Sequence, residues 1–389
     1  MALYMGGKKV QIKSGVTANV GNVLYRKVVY EATPETLADI ITNAQPNTTI
    51  YLTAGDTDGN YGLITLVPRH ALNRAEDTEM ETDDGNVLTI PALPGTVVTY
   101  PENLTIVGCD GVTMEGICIT SGQSKEEFAT SNNPIWEMPS NLTIKDLTLT
   151  DSIRLRNCTI DGLNFLNCTV TKGNIQLSPD SLKDSQYGTD VTSNTTAATV
   201  WHWPASKPLI RNVIIDNCIL ANASTDSKTS AIIVSCVDNL AVTNNEIKYA
   251  AYNAIQVNGQ SEYYSTGRIA ILNNIIRWSG SRSIRIASLK NAELFMYENR
   301  LHNANQTDAN DEYVKVSDCK NTTYTWMLSK TSGPNYYRDV NEGIESKVLS
   351  VGDGITLEDD VNTEWTDDKK AEVIADVIAA LPVYNGEVV

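Results

Sequence analysis

The sequence predicts an all-β chain wound as a parallel β-helix, and two features that keep step with each other carry that prediction. The first is a polar residue, Asn, one variable residue and Ile or Leu. It occurs as Asp216-Asn217-Cys218-Ile219, Asn244-Asn245-Glu246-Ile247, Asn273-Asn274-Ile275-Ile276 and Glu298-Asn299-Arg300-Leu301. Asn217, Asn245, Asn274 and Asn299 are spaced by 28, 29 and 25 residues. The second feature is an apolar alternation downstream of each: Ala231-Ile232-Ile233-Val234, Ala254-Ile255-Gln256-Val257, Ser283-Ile284-Arg285-Ile286 and Tyr313-Val314-Lys315-Val316. Period-2 runs mark short strands, and no helical pattern of about 10 to 15 residues separates them. Strands that return every ~25 residues describe one coil of a solenoid.

Coils stacked at the inter-strand spacing of ~4.8 Å turn equivalent positions into columns. Ile232, Ile255, Ile284 and Val314 form one inward column, and Val234, Val257, Ile286 and Val316 another. Ile233, Gln256, Arg285 and Lys315 lie between them and face outward. Asn217, Asn245, Asn274 and Asn299 form a third column, a structural ladder in which each amide donates to one coil and accepts from the next. This pattern resembles the right-handed, single-stranded parallel β-helix of the pectin-lyase-like superfamily, whose turns often carry such an Asn ladder. The resemblance covers residues 33–325 and implies the fold alone, because lyases, hydrolases, adhesins and phage tail spikes share it.

In chain order, residues 1–32 are read as a strand-bearing attachment or oligomerisation segment outside the repeat. Thr33 caps a short helix with Pro34 at its first position, and Leu37, Ile40 and Ile41 share its buried face. That helix is expected to cover the open end of the solenoid. The β-helix spans 33–325, with loop insertions at 68–99, 121–140 and 178–208. The first insertion is acidic (Glu76, Asp77, Glu79, Glu81, Asp83, Asp84) and reads as a solvated loop. Asp146 and Asn167 are expected to share one column, with Asn157 on another face. Residues 326–389 form a non-repeat C-terminal segment, ending in a helix that starts at Thr366 and stops at Pro382.

Chemistry-bearing groups are few. Counting three residues past each ladder asparagine gives Leu220, Lys248, Arg277 and His302, a basic column. A lyase acting on uronic acids needs cations to neutralise a carboxylate and an Arg, Lys or His as base, so Lys248, Arg277 and His302 are the catalytic candidates. Trp201, His202 and Trp203 in the longest loop, with Arg285 and Lys315, are carbohydrate-binding candidates, because indole faces stack on sugar rings. A glycosidase needs two carboxyl groups about 5 to 10 Å apart. Asp216 and Glu298 would share a column three coils apart, roughly 14 Å, which is too far. No metal-ligand spacing and no cofactor motif is present, so neither is expected.

The net charge of −17 disfavours nucleic acid and anionic membrane as partners, and no run of 18 apolar residues spans a bilayer. The seven cysteines are expected to be free core thiols. No export signal is recognisable at the N-terminus, an expectation consistent with synthesis in a bacterial cytoplasm. Both chain ends, Met1 to Gly7 and Ala380 to Val389, are similar to ends of virion proteins of gut-bacterial phages. The resemblances imply a bacteriophage virion structural protein of tail-spike, fibre or head-decoration type. Its expected partners are other virion proteins and bacterial surface polysaccharide, with self-assembly into a homo-oligomer such as a trimer. A polysaccharide lyase or glycoside hydrolase is the alternative. A bacterial surface adhesin, at the cell surface or outside the cell, is the second.

Overall fold

A computed structural model describes residues 28–56, 58–68, 76–81, 87–90, 92–121, 136–156, 158–179, 210–221, 229–259, 264–302, 312–326, 336–338, 349–353 and 355–359, with strands at 3–5, 8–10, 17–20 and 23–26. The architecture is all-β: three parallel sheets of stacked strands and, among the described residues, one helix. The fold class is the parallel β-helix. The chain divides into two compact units, one of residues 1–161 and 177–208, the other of 162–176 and 209–389.

In the N-terminal unit, the first sheet stacks Val28–Ala32, Thr48–Leu52, Thr105–Val107 and Leu142–Lys145 in that order. Its inward column is Tyr30, Ile50, Ile106 and Ile144, all buried. Leu63–Pro68, Gly116–Thr120 and Ile153–Arg156 make the second sheet, and Thr113–Met114 with Thr148–Leu149 the third. Strands at Thr78–Glu81 and Val87–Ile90 form an antiparallel hairpin within the predicted insertion at 68–99. Thr96–Tyr100 then pairs with the free side of Leu63–Pro68, so this excursion adds an edge strand to the second sheet.

The helix, Leu37–Asn43, lies against Thr96–Tyr100 and Val28–Ala32, the edge strands of two sheets, and buries Leu37, Ile40 and Ile41 as the spacing predicts. It starts later than the sequence suggests. Thr33 to Thr36 form a turn in which the Thr33 carbonyl accepts from Thr36 N and Leu37 N, so Thr36 becomes the N-cap. Val28–Ala32, predicted to lie outside the solenoid, is the first sheet's end strand.

In the C-terminal unit, the first sheet stacks Ile210–Asp216, Val237–Thr243, Ser265–Leu272, Leu289–Tyr297, Thr322–Trp326 and Ile355–Asp359. Ile232–Ser235, Ile255–Asn258, Ile284–Ala287, Val314–Ser317 and Leu349–Val351 make the second. The third holds Thr169–Val170, Ile219–Leu220, Glu246–Ile247, Ile275–Ile276, Arg300–His302 and Tyr336–Arg338. In the second sheet the sequence columns match this register residue for residue: Ile232, Ile255, Ile284 and Val314 face inward with no exposure, and Ile233, Gln256, Arg285 and Lys315 face outward. The three-sheet pattern runs past residue 325 to Asp359, further than the repeat could be traced by spacing. The predicted helix from Thr366 to Pro382 lies outside the described residues.

Left-handed backbone marks the turns. Asn47, Asn103 and Asn141 hold positive φ just before first-sheet strands, and Asn141 Nδ2 donates to Asn103 Oδ1 at 2.8 Å. After those strands stand Asp146 in one unit and Asn167, Asn217, Asn244, Asn273 and Glu298 in the other, all at φ between 51° and 57°. Asn tolerates this region because its short amide bonds locally, whereas a longer side chain is strained by about 1 kcal/mol. Glu298 is the exception within its unit's column. Glu298→Asn is therefore expected to stabilise the protein by about 0.5–1 kcal/mol, read as a raised denaturant midpoint. A lowered midpoint would show that the glutamate makes a compensating contact.

The core also fixes an alkaline limit. Burial holds the Tyr100 and Tyr324 hydroxyls well above the ordinary value of 10.0, and it raises Tyr61 as well. The folded chain thus keeps protons that the unfolded chain releases. The stability linked to these groups is complete below pH 10 and declines as the pH rises above it, by about 1.4 kcal/mol per pH unit per group. The buried thiol of Cys158, raised by burial above 9.0, adds a decline that starts one unit lower. Urea midpoints should be level from pH 7 to 8.5 and fall steeply above 10. A level midpoint at pH 11.5 would contradict the burial of these side chains.

Candidate functional site

The Asn ladder and the outward residues beside it occupy the turn from the first sheet to the third in the C-terminal unit. Asn245, Asn274 and Asn299 stack with almost no exposure. Asn245 Nδ2 donates to Asn274 Oδ1 at 3.0 Å, and Asn274 Nδ2 donates to Asn299 Oδ1 at 2.9 Å. Each amide also donates inward to a first-sheet carbonyl, Ile215, Val242 and Ile271 in turn.

Asn217 is not a rung of this ladder. In-register pairing of Leu220 with Ile247 puts Cys218 opposite Asn245, and Cys218 N donates to Asn245 Oδ1 at 2.8 Å. Asn217 belongs instead to the left-handed column outside it, where its amide donates to Asn167 Oδ1 at 3.1 Å. A thiol fits the ladder position because Cys218 Sγ reaches the Phe165 carbonyl at 3.5 Å. The hydrogen bond that this thiol donates to the Cys168 sulfur, with burial, holds it well above its ordinary range. All seven cysteines are free, six of them buried and Cys109 exposed.

The same register sorts the basic column. Lys248, Arg277 and His302 do share it, in successive coils directly after the third-sheet positions Ile247, Ile276 and Leu301. Leu220 does not. It is buried opposite Ile247, and Ala221 takes the position opposite Lys248. Arg277 Nε donates to Glu246 Oε1 at 2.6 Å, a half-exposed pair worth at most about 1 kcal/mol. Two further pairs also join neighbouring coils, Arg268 to Glu293 and Arg282 to Glu312. Burial would raise the Glu312 carboxyl, but its own backbone N–H, Arg282 and Lys315 together hold it below its ordinary value.

Arg285 and Lys315 stand on the outward face of the second sheet, next to Gln256. Trp201, His202 and Trp203 lie outside the described residues. Asp216 and Glu298 do not share a column: Asp216 aligns with Thr243 and Leu272, and Glu298 follows Tyr297, which pairs with Leu272. Asp216 Oδ1 instead accepts from Thr243 Oγ1 at 2.6 Å and from Asn244 Nδ2 at 2.7 Å, a structural role. Among the described residues, no group of three His, Cys, Asp or Glu side chains is placed to hold a metal ion.

One feature of this surface is not evident from the columns traced by spacing. Tyr249 and Trp278, directly after Lys248 and Arg277, stack with ring centroids 4.1 Å apart and planes 10° from parallel. The signal in the sequence is a shared offset: each aromatic residue lies four positions past a ladder asparagine, Asn245 or Asn274. The fold defines a solenoid of parallel β-helix class. No protein-family model matches the chain, and no curated protein or solved structure matches it either.

Proposed function

We propose that the chain is a structural component of a bacteriophage virion, of tail-spike, fibre or head-decoration type, that contacts bacterial surface glycans without cleaving them. The observation that carries the non-enzymatic part is the use of the outward arginines. Arg268, Arg277 and Arg282 each donate Nε to a glutamate of a neighbouring coil, an ion pair that keeps the guanidinium charged and unsuited to act as the base of a lyase. The resemblance of the chain ends to phage virion proteins supports the assembly. Homo-oligomerisation, as a trimer, and docking onto other virion proteins belong to the same reading.

An antibody raised against the purified chain should label intact phage particles from lysates of the bacterium that carries the gene. Label found only on cell debris would remove the virion assignment. The placement of Lys248, Arg277 and His302 in one column favours a second reading, a polysaccharide lyase. It requires an activity that Arg277→Ala abolishes.

A further inference from the structure

We infer that the ridge formed by Lys248, Tyr249, Arg277 and Trp278 is the glycan-contact site, and that its ligand is an acidic polysaccharide. This rests on the reading of the chain as a glycan-contacting protein. The ring pair is the first support. Tyr249 and Trp278 are half-buried and stacked on each other, each held behind a strand whose turn the ladder fixes. A ring pair already ordered before binding loses little freedom when a sugar packs its C–H face against it. The pair is also bounded. In the sequence, the residues four positions past Cys218 and Asn299 are Asn222 and Asn303, so the aromatic signal at this offset is confined to Tyr249 and Trp278.

The flanking charge selects the ligand. Lys248 and Arg277 are both exposed. Among the described residues no carboxylate lies within ion-pair distance of Lys248. Glu246 engages Arg277 through Nε, which orients the guanidinium and leaves its terminal nitrogens for a carboxylate of the ligand. The net charge of −17 repels a polyanion at long range, but at physiological salt that repulsion is screened beyond about 8 Å, and the two cations act at contact. A sugar ring that carries a carboxylate meets both halves of the ridge at once.

The test is retention of the purified full chain on an array of bacterial capsular polysaccharides, acidic and neutral, at two salt concentrations. Wild type should bind acidic members. Trp278→Ala should bind them about tenfold more weakly and Trp278→Phe almost as well as wild type. Lys248→Ala replaces an exposed side chain outside the ring stack, and should both weaken binding and reduce its salt dependence. Wild-type binding that neither Trp278→Ala nor Lys248→Ala weakens would remove this site while leaving the glycan reading intact. Binding confined to neutral members would overturn the acidic class. A wild type that binds no member would overturn the glycan reading itself, and this inference with it.

Discussion

Asn274→Ala is expected to destabilise the protein by about 4 kcal/mol, far more than its small loss of volume accounts for. Asn274 is the middle rung of the ladder and has no exposure. Its Oδ1 accepts from Asn245 N and Asn245 Nδ2, both at 3.0 Å. Its Nδ2 donates to Val242 O and Asn299 Oδ1, both at 2.9 Å. Truncation removes four hydrogen bonds and leaves a buried carbonyl, an amide and a backbone N–H with partners missing, each costing about 1 kcal/mol or more. Asn274→Leu, which refills the volume, should be nearly as damaging. Urea midpoints separate the two explanations: if leucine restores most of the stability, the rung acts by packing and its hydrogen bonds count for little.

The second large effect is expected at Gly108, in the other unit. Gly108 follows the strand Thr105–Val107, and its N–H donates to the Lys145 carbonyl at 2.9 Å. A Cβ at this position would collide with the backbone carbonyl of Asp146 and press on the Leu147 Cα, atoms that belong to the next coil and cannot rotate away. Gly108→Val must push two coils apart, so a loss of more than about 3 kcal/mol is expected, with little folded protein at 37 °C. Gly111→Ala is the control. A Cβ there meets nothing within 4 Å, and only its φ of 78° is unfavourable, so its cost should be about 1 kcal/mol. Equal losses at the two positions would contradict the coil spacing at Gly108.

The scaffold was most legible where strands alternate strictly. In the second sheet, Ile or Val at every other position leaves one register that buries all of them, and Ile232, Ile255, Ile284 and Val314 follow from spacing alone. The turns were less legible because two adjacent columns both favour asparagine for different reasons. One needs a left-handed backbone and the other needs a buried amide. Asn244-Asn245 and Asn273-Asn274 satisfy both, whereas Asp216-Asn217-Cys218 places its asparagine in the first column and a thiol in the second. Aligning Leu220 with Ile247 by polarity, rather than Asn217 with Asn245 by identity, recovers the register.

Beyond residue 325 the period is hard to read because two of the three strands, Tyr336–Arg338 and Leu349–Val351, are three residues long and carry little periodicity of their own. The candidate site was legible in part. Lys248, Arg277 and His302 share a column as their spacing implies, but the carboxylate on Arg277 and the rings of Tyr249 and Trp278 emerge only once the coils are stacked. Spacing tells which residues share a column. It does not tell which of them already satisfy one another.

The claim that binding occurs without cleavage is tested most directly by chain length. The purified full chain would be incubated with an acidic capsular polysaccharide that it retains, and the polymer's size distribution followed by size-exclusion chromatography with light scattering. Retention of the polymer with no change in its size over many hours is expected. Progressive shortening that is abolished by Arg277→Ala would contradict it, and would make the column of Lys248, Arg277 and His302 a catalytic site.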